Sequence, residues 1–252
     1  MNDGVVAATA GWSQAGRVQN PTVLSAAWRV YVRAVVFGLA ILFTLGAVGH
    51  LISATLPWML RVTPVFIALI GVLVLAPSVV AGGWKFVLWA AGTYGFALLV
   101  DQAGAASGTL FGEYAYGATL GWTWRGVPVT ISLNWMLVLN GAVYVASRCI
   151  RSGALFWRRP AVALLAALIV IFYDLLLEPV AIRLDYWHWT VGLPPVRNFA
   201  GIFVCAAVFA LLHPRQNQKA SELGTTGRLA GIYVGLQMAF FLALLTGWFL
   251  QG

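Results

Sequence analysis

The sequence predicts an all-α fold: a polytopic transmembrane helical bundle of about seven spans, with the N-terminus inside. Three observations predict it. The 252-residue chain is 61% hydrophobic and 9% charged, against roughly 45–50% apolar and about 25% charged in ordinary soluble domains. Apolar runs near twenty residues recur along it, and ~20 helical residues cross the ~30 Å hydrocarbon core of a bilayer. The runs are continuous rather than alternating, which excludes a closed β-barrel. A soluble enzyme, a secreted domain and a disordered chain are excluded too, because none could cover its surface with so little charge.

Taken in order, residues 1–28 are polar and small and read as a flexible tail. No apolar h-region precedes Trp28, so a cleaved signal peptide is not expected, and the first span is expected to target the chain. Residues 29–252 read as one bundle domain with no internal repeat. The expected spans are 34–52, 62–80, 84–100, 127–147, 161–182, 199–212 and 229–250. Trp, Tyr and Arg bound several of them, as an interface favours. Two stretches are too polar for ordinary spans. Residues 101–126 are Gly-rich and read as a surface loop or a re-entrant segment packed on the bundle. Residues 183–198 form an aromatic, polar loop.

Charge placement sets the orientation. Of the 15 Lys and Arg residues, only Arg61, Arg125, Arg183 and Arg197 fall outside when the N-terminus is cytoplasmic. The other eleven fall inside, as the positive-inside rule requires. The net charge of +8 therefore anchors helices and does not indicate nucleic acid, for which a basic groove with interleaved aromatics is missing. The expected setting is a cell membrane, that of a bacterial or archaeal inner membrane, with the lipid bilayer itself as a partner. Nothing in the sequence sets an oligomeric state.

The acids carry the functional signal. The chain has seven. Asp3 lies in the tail and Glu222 in a loop. The other five, Asp101, Glu113, Asp174, Glu178 and Asp185, fall in two blocks, 101–113 and 174–185. Acids within or at the edge of a span are costly and point to function. Asp174 and Glu178, in FYDLLLEP, are four residues apart and so share a helix face, with Cβ atoms about 5–6 Å apart. Two carboxylates this close in a poor dielectric cannot both ionise easily, so one is expected to keep a proton. One donor beside one acceptor suits general acid–base work. The competing reading is a structural tie from Asp174 to Arg183 or Arg125. Asp174 lies 13 residues into its span, roughly 20 Å of rise, and so in the outer third of the bilayer. Spans three and five end on one side, which makes the two acidic blocks cofacial.

Tyr114, Tyr116, Trp122, Trp124, Trp135, Tyr186, Trp187 and Trp189 belong to or flank these blocks. They read either as an interfacial belt or as a cavity wall whose ring faces stabilise a cation. Three histidines, His50, His188 and His213, share no ligand spacing, and Cys149 and Cys205 form no CxxC, so no metal is expected. No dinucleotide, P-loop or nucleophile-elbow motif is present, and no cofactor is expected.

The two blocks resemble the integral-membrane carotenoid biosynthesis family, which includes carotenoid hydratases acting on linear end groups and bisanhydrobacterioruberin hydratase. The first block carries Asp101, Gly104, Gly108, FGEYAY (Phe111 to Tyr116), Leu120-Gly121, Val127-Pro128 and Trp135. The second carries Asp174, Glu178-Pro179, Trp187-His188-Trp189, Gly192-Leu193-Pro194 and Asn198-Phe199-Ala200-Gly201. Asp101 stands where the family has Glu, Leu110 where it has Pro, and Ile202 where it often has Trp. Glu113 falls on a variable position. The resemblance implies cofactor-independent addition of water to the terminal double bond of a linear carotenoid, giving a tertiary alcohol. In that reading Asp174 and Glu178 protonate the alkene and Asp101 orients water. Phe111, Tyr114, Tyr116, Trp135, Trp187, Trp189 and Asn198 bind the substrate. End-group cyclisation begins with the same protonation. A proton-coupled transporter and a non-catalytic pigment-binding protein are alternatives of other classes.

Overall fold

A computed structural model describes residues 21–151, 155–214 and 227–252. Six helices account for most of them: α1 (Pro21–Leu51), α2 (Leu56–Ser107), α3 (Val129–Cys149), α4 (Leu155–Arg183), α5 (Val196–Leu212) and α6 (Arg228–Gln251). Five of these are long and apolar enough to cross a membrane, and α5 is shorter. The chain is thus a multi-pass helical protein. Most of the expected tail lies outside the described residues, and its end, from Pro21, is already the start of α1.

The expected spans 62–80 and 84–100 fall within the single 52-residue element α2. A straight helix of that length would run about 78 Å, more than twice the ~30 Å hydrocarbon core. It is not straight. Gly83 leaves helical geometry, at φ 57° and ψ −152°, a conformation essentially restricted to glycine. The expected spans 62–80 and 84–100 fall on either side of it.

Helix α3 is the hub. Of its most apolar window 72% is buried, against 17% for that of α1. It packs on α2, α4 and α6, while α5 packs on α4 and α1 on α6. The outward faces carry exposed Phe37, Leu45, Leu69, Val72, Leu88 and Phe172. That inverts the surface of a soluble protein and suits lipid.

At one end of the bundle the two polar stretches fold together. Residues 114–116 form strand β1 and residues 187–189 strand β4, paired antiparallel with Tyr114 opposite Trp189 and Tyr116 opposite Trp187. Between them in sequence, β2 (Thr123–Trp124) and β3 (Val127–Pro128) make a hairpin. Its two-residue turn, Arg125-Gly126, has φ of 50° and 86°, the double positive φ of a type I′ turn. Residues 101–126 therefore combine the last turns of α2 with these ribbons and contain no further span.

Candidate functional site

The β1–β4 ribbon sorts its side chains by the period-2 rule of strands. Tyr114, Tyr116, Trp187 and Trp189 lie on one face, while Ala115 and His188 lie on the other and are exposed. The Y-x-Y and W-x-W spacings thus put four aromatics over a cavity inside the bundle. That cavity, of about 90 Å³, is lined by the ribbon, the end of α2, α3, α4 and α5. All ten residues expected at the site line it: Asp101, Phe111, Tyr114, Tyr116, Trp135, Asp174, Glu178, Trp187, Trp189 and Asn198.

The three acids are held differently. Asp101, on the last turns of α2, accepts from two phenols: Tyr114 donates to Oδ1 at 2.6 Å and Tyr116 to Oδ2 at 2.7 Å. Burial, with the Asp101 charge beside them, holds both phenols above the ordinary tyrosine range. They therefore keep their protons and act as fixed donors. Glu178 accepts from two indoles on one oxygen. Trp187 Nε1 donates to Oε1 at 2.9 Å, and Trp189 Nε1 donates to the same atom. Asp174, one turn back on α4, is 4% exposed, and its Oδ2 has no hydrogen-bond partner. The side-chain amide of Asn198 faces its carboxyl, and Glu178 and Asp101 are the charges that act on it.

The arginine tie does not form among the described residues. Arg183 Cζ lies 4.5 Å from the ring centre of Trp248, and Arg125 Cζ 5.1 Å from that of Trp124. Asp174 is left facing two other acids instead. The remaining acids of the two blocks stand elsewhere. Asp185 follows α4 at φ 57°. Tyr186 N–H donates to the Ala181 carbonyl at 2.9 Å beyond it, as in a left-handed helix stop. Asp185 turns the chain into β4. Glu113 is exposed, and its backbone carbonyl accepts from Thr190 N–H at 3.0 Å.

The family model for carotenoid biosynthesis proteins matches residues 61–251. The chain belongs to this family. The match covers far more than the 101–201 stretch on which the sequence resemblance rests, and takes in α3, α4, α5 and α6 whole. Comparison with curated proteins and with solved structures gives no match. In this carotenoid biosynthesis protein, the cavity lies among apolar helices, several of them long enough to cross a membrane.

Sequence reasoning missed the apolar half of the cavity. Thr93, Phe96 and Ala97 on α2 and Cys205, Ala206 and Phe209 on α5 also line it. Inside uniformly apolar helices such residues carry no periodic signal that separates a cavity wall from a lipid-facing stripe. A second cavity, about 260 Å³, lies beyond Ile131, which lines both. Asn134, Tyr173 and Gln237 reach it. Lone polar residues within the apolar runs of α3 and α6 were the available signal for it.

Proposed function

We propose that this carotenoid biosynthesis protein hydrates the terminal double bond of a linear carotenoid end group, without a cofactor. One observation supports the reading above others. Three carboxylates share a mostly apolar cavity; two of them each face a pair of N–H or O–H donors, while the third keeps one oxygen without a partner.

That asymmetry suggests the division of labour. Asp101 and Glu178, each facing two donors, act as acceptors. Asp174, with one oxygen unpartnered and two acids beside it, holds the proton. It donates this proton to the terminal alkene, and the π electrons form the new C–H bond. A tertiary cation remains at the more substituted carbon. The faces of Trp187, Trp189, Tyr114 and Tyr116 stabilise it. Water oriented by Asp101 adds its oxygen to the cation and gives up a proton to that carboxylate. Return of the proton to Asp174 completes the cycle, and the sum is alkene plus water to alcohol. The cavity admits a chain end and not a whole polyene.

Expression in a lycopene-producing host, with mass analysis of the pigments, tests the proposal. The expected product is heavier by one or two waters. A cyclised product of unchanged mass would overturn hydration in favour of ring closure. Unmodified lycopene beside well-folded protein would overturn this substrate.

A further inference from the structure

The ligand cavity has an unfinished wall. Helix α2 packs on α3 and α5 packs on α4, which leaves a seam between α2 and α5. At one end the seam is tied. Trp89 Nε1 donates to the Phe209 carbonyl at 2.9 Å, and the Phe96 and Phe209 rings meet with centres 4.7 Å apart. At the other end Phe111 is wedged between the helices. Its ring lies against Gly104 on α2 and Gly201 on α5, so closely that a Cβ at either glycine would fall 2.5 to 2.8 Å from a ring carbon.

The two ties match in height. Phe96 to Gly104 is eight residues, and so is Gly201 to Phe209. Each amounts to about 12 Å of helix at ~1.5 Å per residue. Between the ties Val100 and Ile202 line the cavity toward the Phe111 end, and the side chains toward the Phe96–Phe209 end are short. Ala97 on α2 and Cys205 and Ala206 on α5 line the cavity here. Ala97 and Cys205 are only half-buried, and exposed Leu99 and Val204 flank them on the outside. Small side chains framed by aromatic ties make a window, with the carboxylates behind it and the lipid-facing surface in front.

We propose that a linear hydrocarbon chain passes through this window. Its end group sits against the carboxylates, and its tail runs out between α2 and α5 into the bilayer. The inference rests on the reading above that the substrate is a linear carotenoid, and adds where its chain lies. It explains why a cavity sized for a chain end serves a much longer molecule. It also makes Ala97 and Ala206 determinants of chain access.

Cys205 is a built-in reporter, since it lines the window and is a free thiol. In a Cys149→Ser background, Cys205 is the thiol left to label. The protein in nanodiscs is treated with N-pyrenylmaleimide, with and without lycopene, and bound lycopene is read by co-eluting absorbance. Labelling is expected to slow at least fivefold when lycopene is bound. The same protection is expected in Asp174→Asn, because lying in the window needs no chemistry. Ala206→Phe, or Ala97→Phe should the first fail to fold, is expected to abolish lycopene binding while the protein stays monodisperse. Unchanged labelling with lycopene bound would overturn the window and leave the hydration proposal standing. No bound lycopene in any form of the protein would overturn the substrate class and the window together.

Discussion

Asp174 and Glu178 lie one helical turn apart on α4 and are equally buried, yet the protein surrounds them differently. Two indole N–H groups converge on Glu178 Oε1, while Asp174 Oδ2 has no partner. If Asp174 is the proton donor, Asp174→Asn removes the transferable proton and keeps the shape. Product formation should fall by about 10²–10⁴-fold, the range for loss of a general acid. Chromatography of pigments against protein level measures it. Full hydroxylated product from Asp174→Asn would sink the assignment.

Glu178→Gln tests the other half of the pair. An amide oxygen still accepts from Trp187 and Trp189, so the ribbon should stay docked and the protein should fold. What is lost is the negative charge beside the forming cation. Activity should drop by at least tenfold, with little change in thermal stability in detergent. Trp187→Phe and Trp189→Phe should lower thermal stability. Each removes one N–H bond to a buried acid, worth about 1.5–3 kcal/mol. In the Glu178→Gln background each tryptophan substitution should cost less, and a double-mutant cycle reads the difference. Fully additive effects would mean that the indoles do not act through Glu178.

These residues show how far the sequence reached. The seven acids could be sorted because each is conspicuous in an apolar chain. Span parity alone put the two acidic blocks on one side, and β1 does pair with β4. The pairing itself was not legible. Strands of three residues carry too little alternation to be told from loop, so the register of Tyr114 with Trp189 emerges only when the helices bring both stretches together. The break in α2 was visible as the gap between the expected spans 62–80 and 84–100, but the conformation of Gly83 was not. The α2–α5 seam had no signal at all, since what defines it is short side chains on two helices distant in sequence.

Phe111 should behave as a wedge whose fit depends on Gly104 and Gly201. Gly201→Ala forces a methyl group against the ring, and overpacking of this kind typically costs about 1–3 kcal/mol. Thermal stability should fall accordingly. Combining it with Phe111→Leu, which shrinks the wedge, should recover part of the loss. A double variant no more stable than Gly201→Ala would show that the ring is not what the new methyl meets.

Asn134 should matter for stability and not for chemistry. It closes a ring of hydrogen bonds in the core beside the second cavity. Its Nδ2 donates to the Tyr173 hydroxyl at 2.8 Å, which donates to Gln237 Oε1 at 2.8 Å. Gln237 Nε2 donates to the Tyr233 hydroxyl at 2.9 Å, which donates back to Asn134 Oδ1 at 2.9 Å. The ring ties α3, α4 and α6 through buried atoms. Asn134→Leu strands the Tyr233 hydroxyl donor on α6 and the Tyr173 hydroxyl acceptor on α4, and each stranded group costs about 1–3 kcal/mol. Tyr233→Phe removes a single hydroxyl, and hydrogen bonds within membrane bundles average about 0.6 kcal/mol. Asn134→Leu should therefore lower the melting temperature several times more than Tyr233→Phe. Asn134 does not line the carboxylate cavity, so product per folded molecule should stay within twofold in both variants. A large loss of turnover in a stable Tyr233→Phe protein would instead make the ring part of the catalytic machinery.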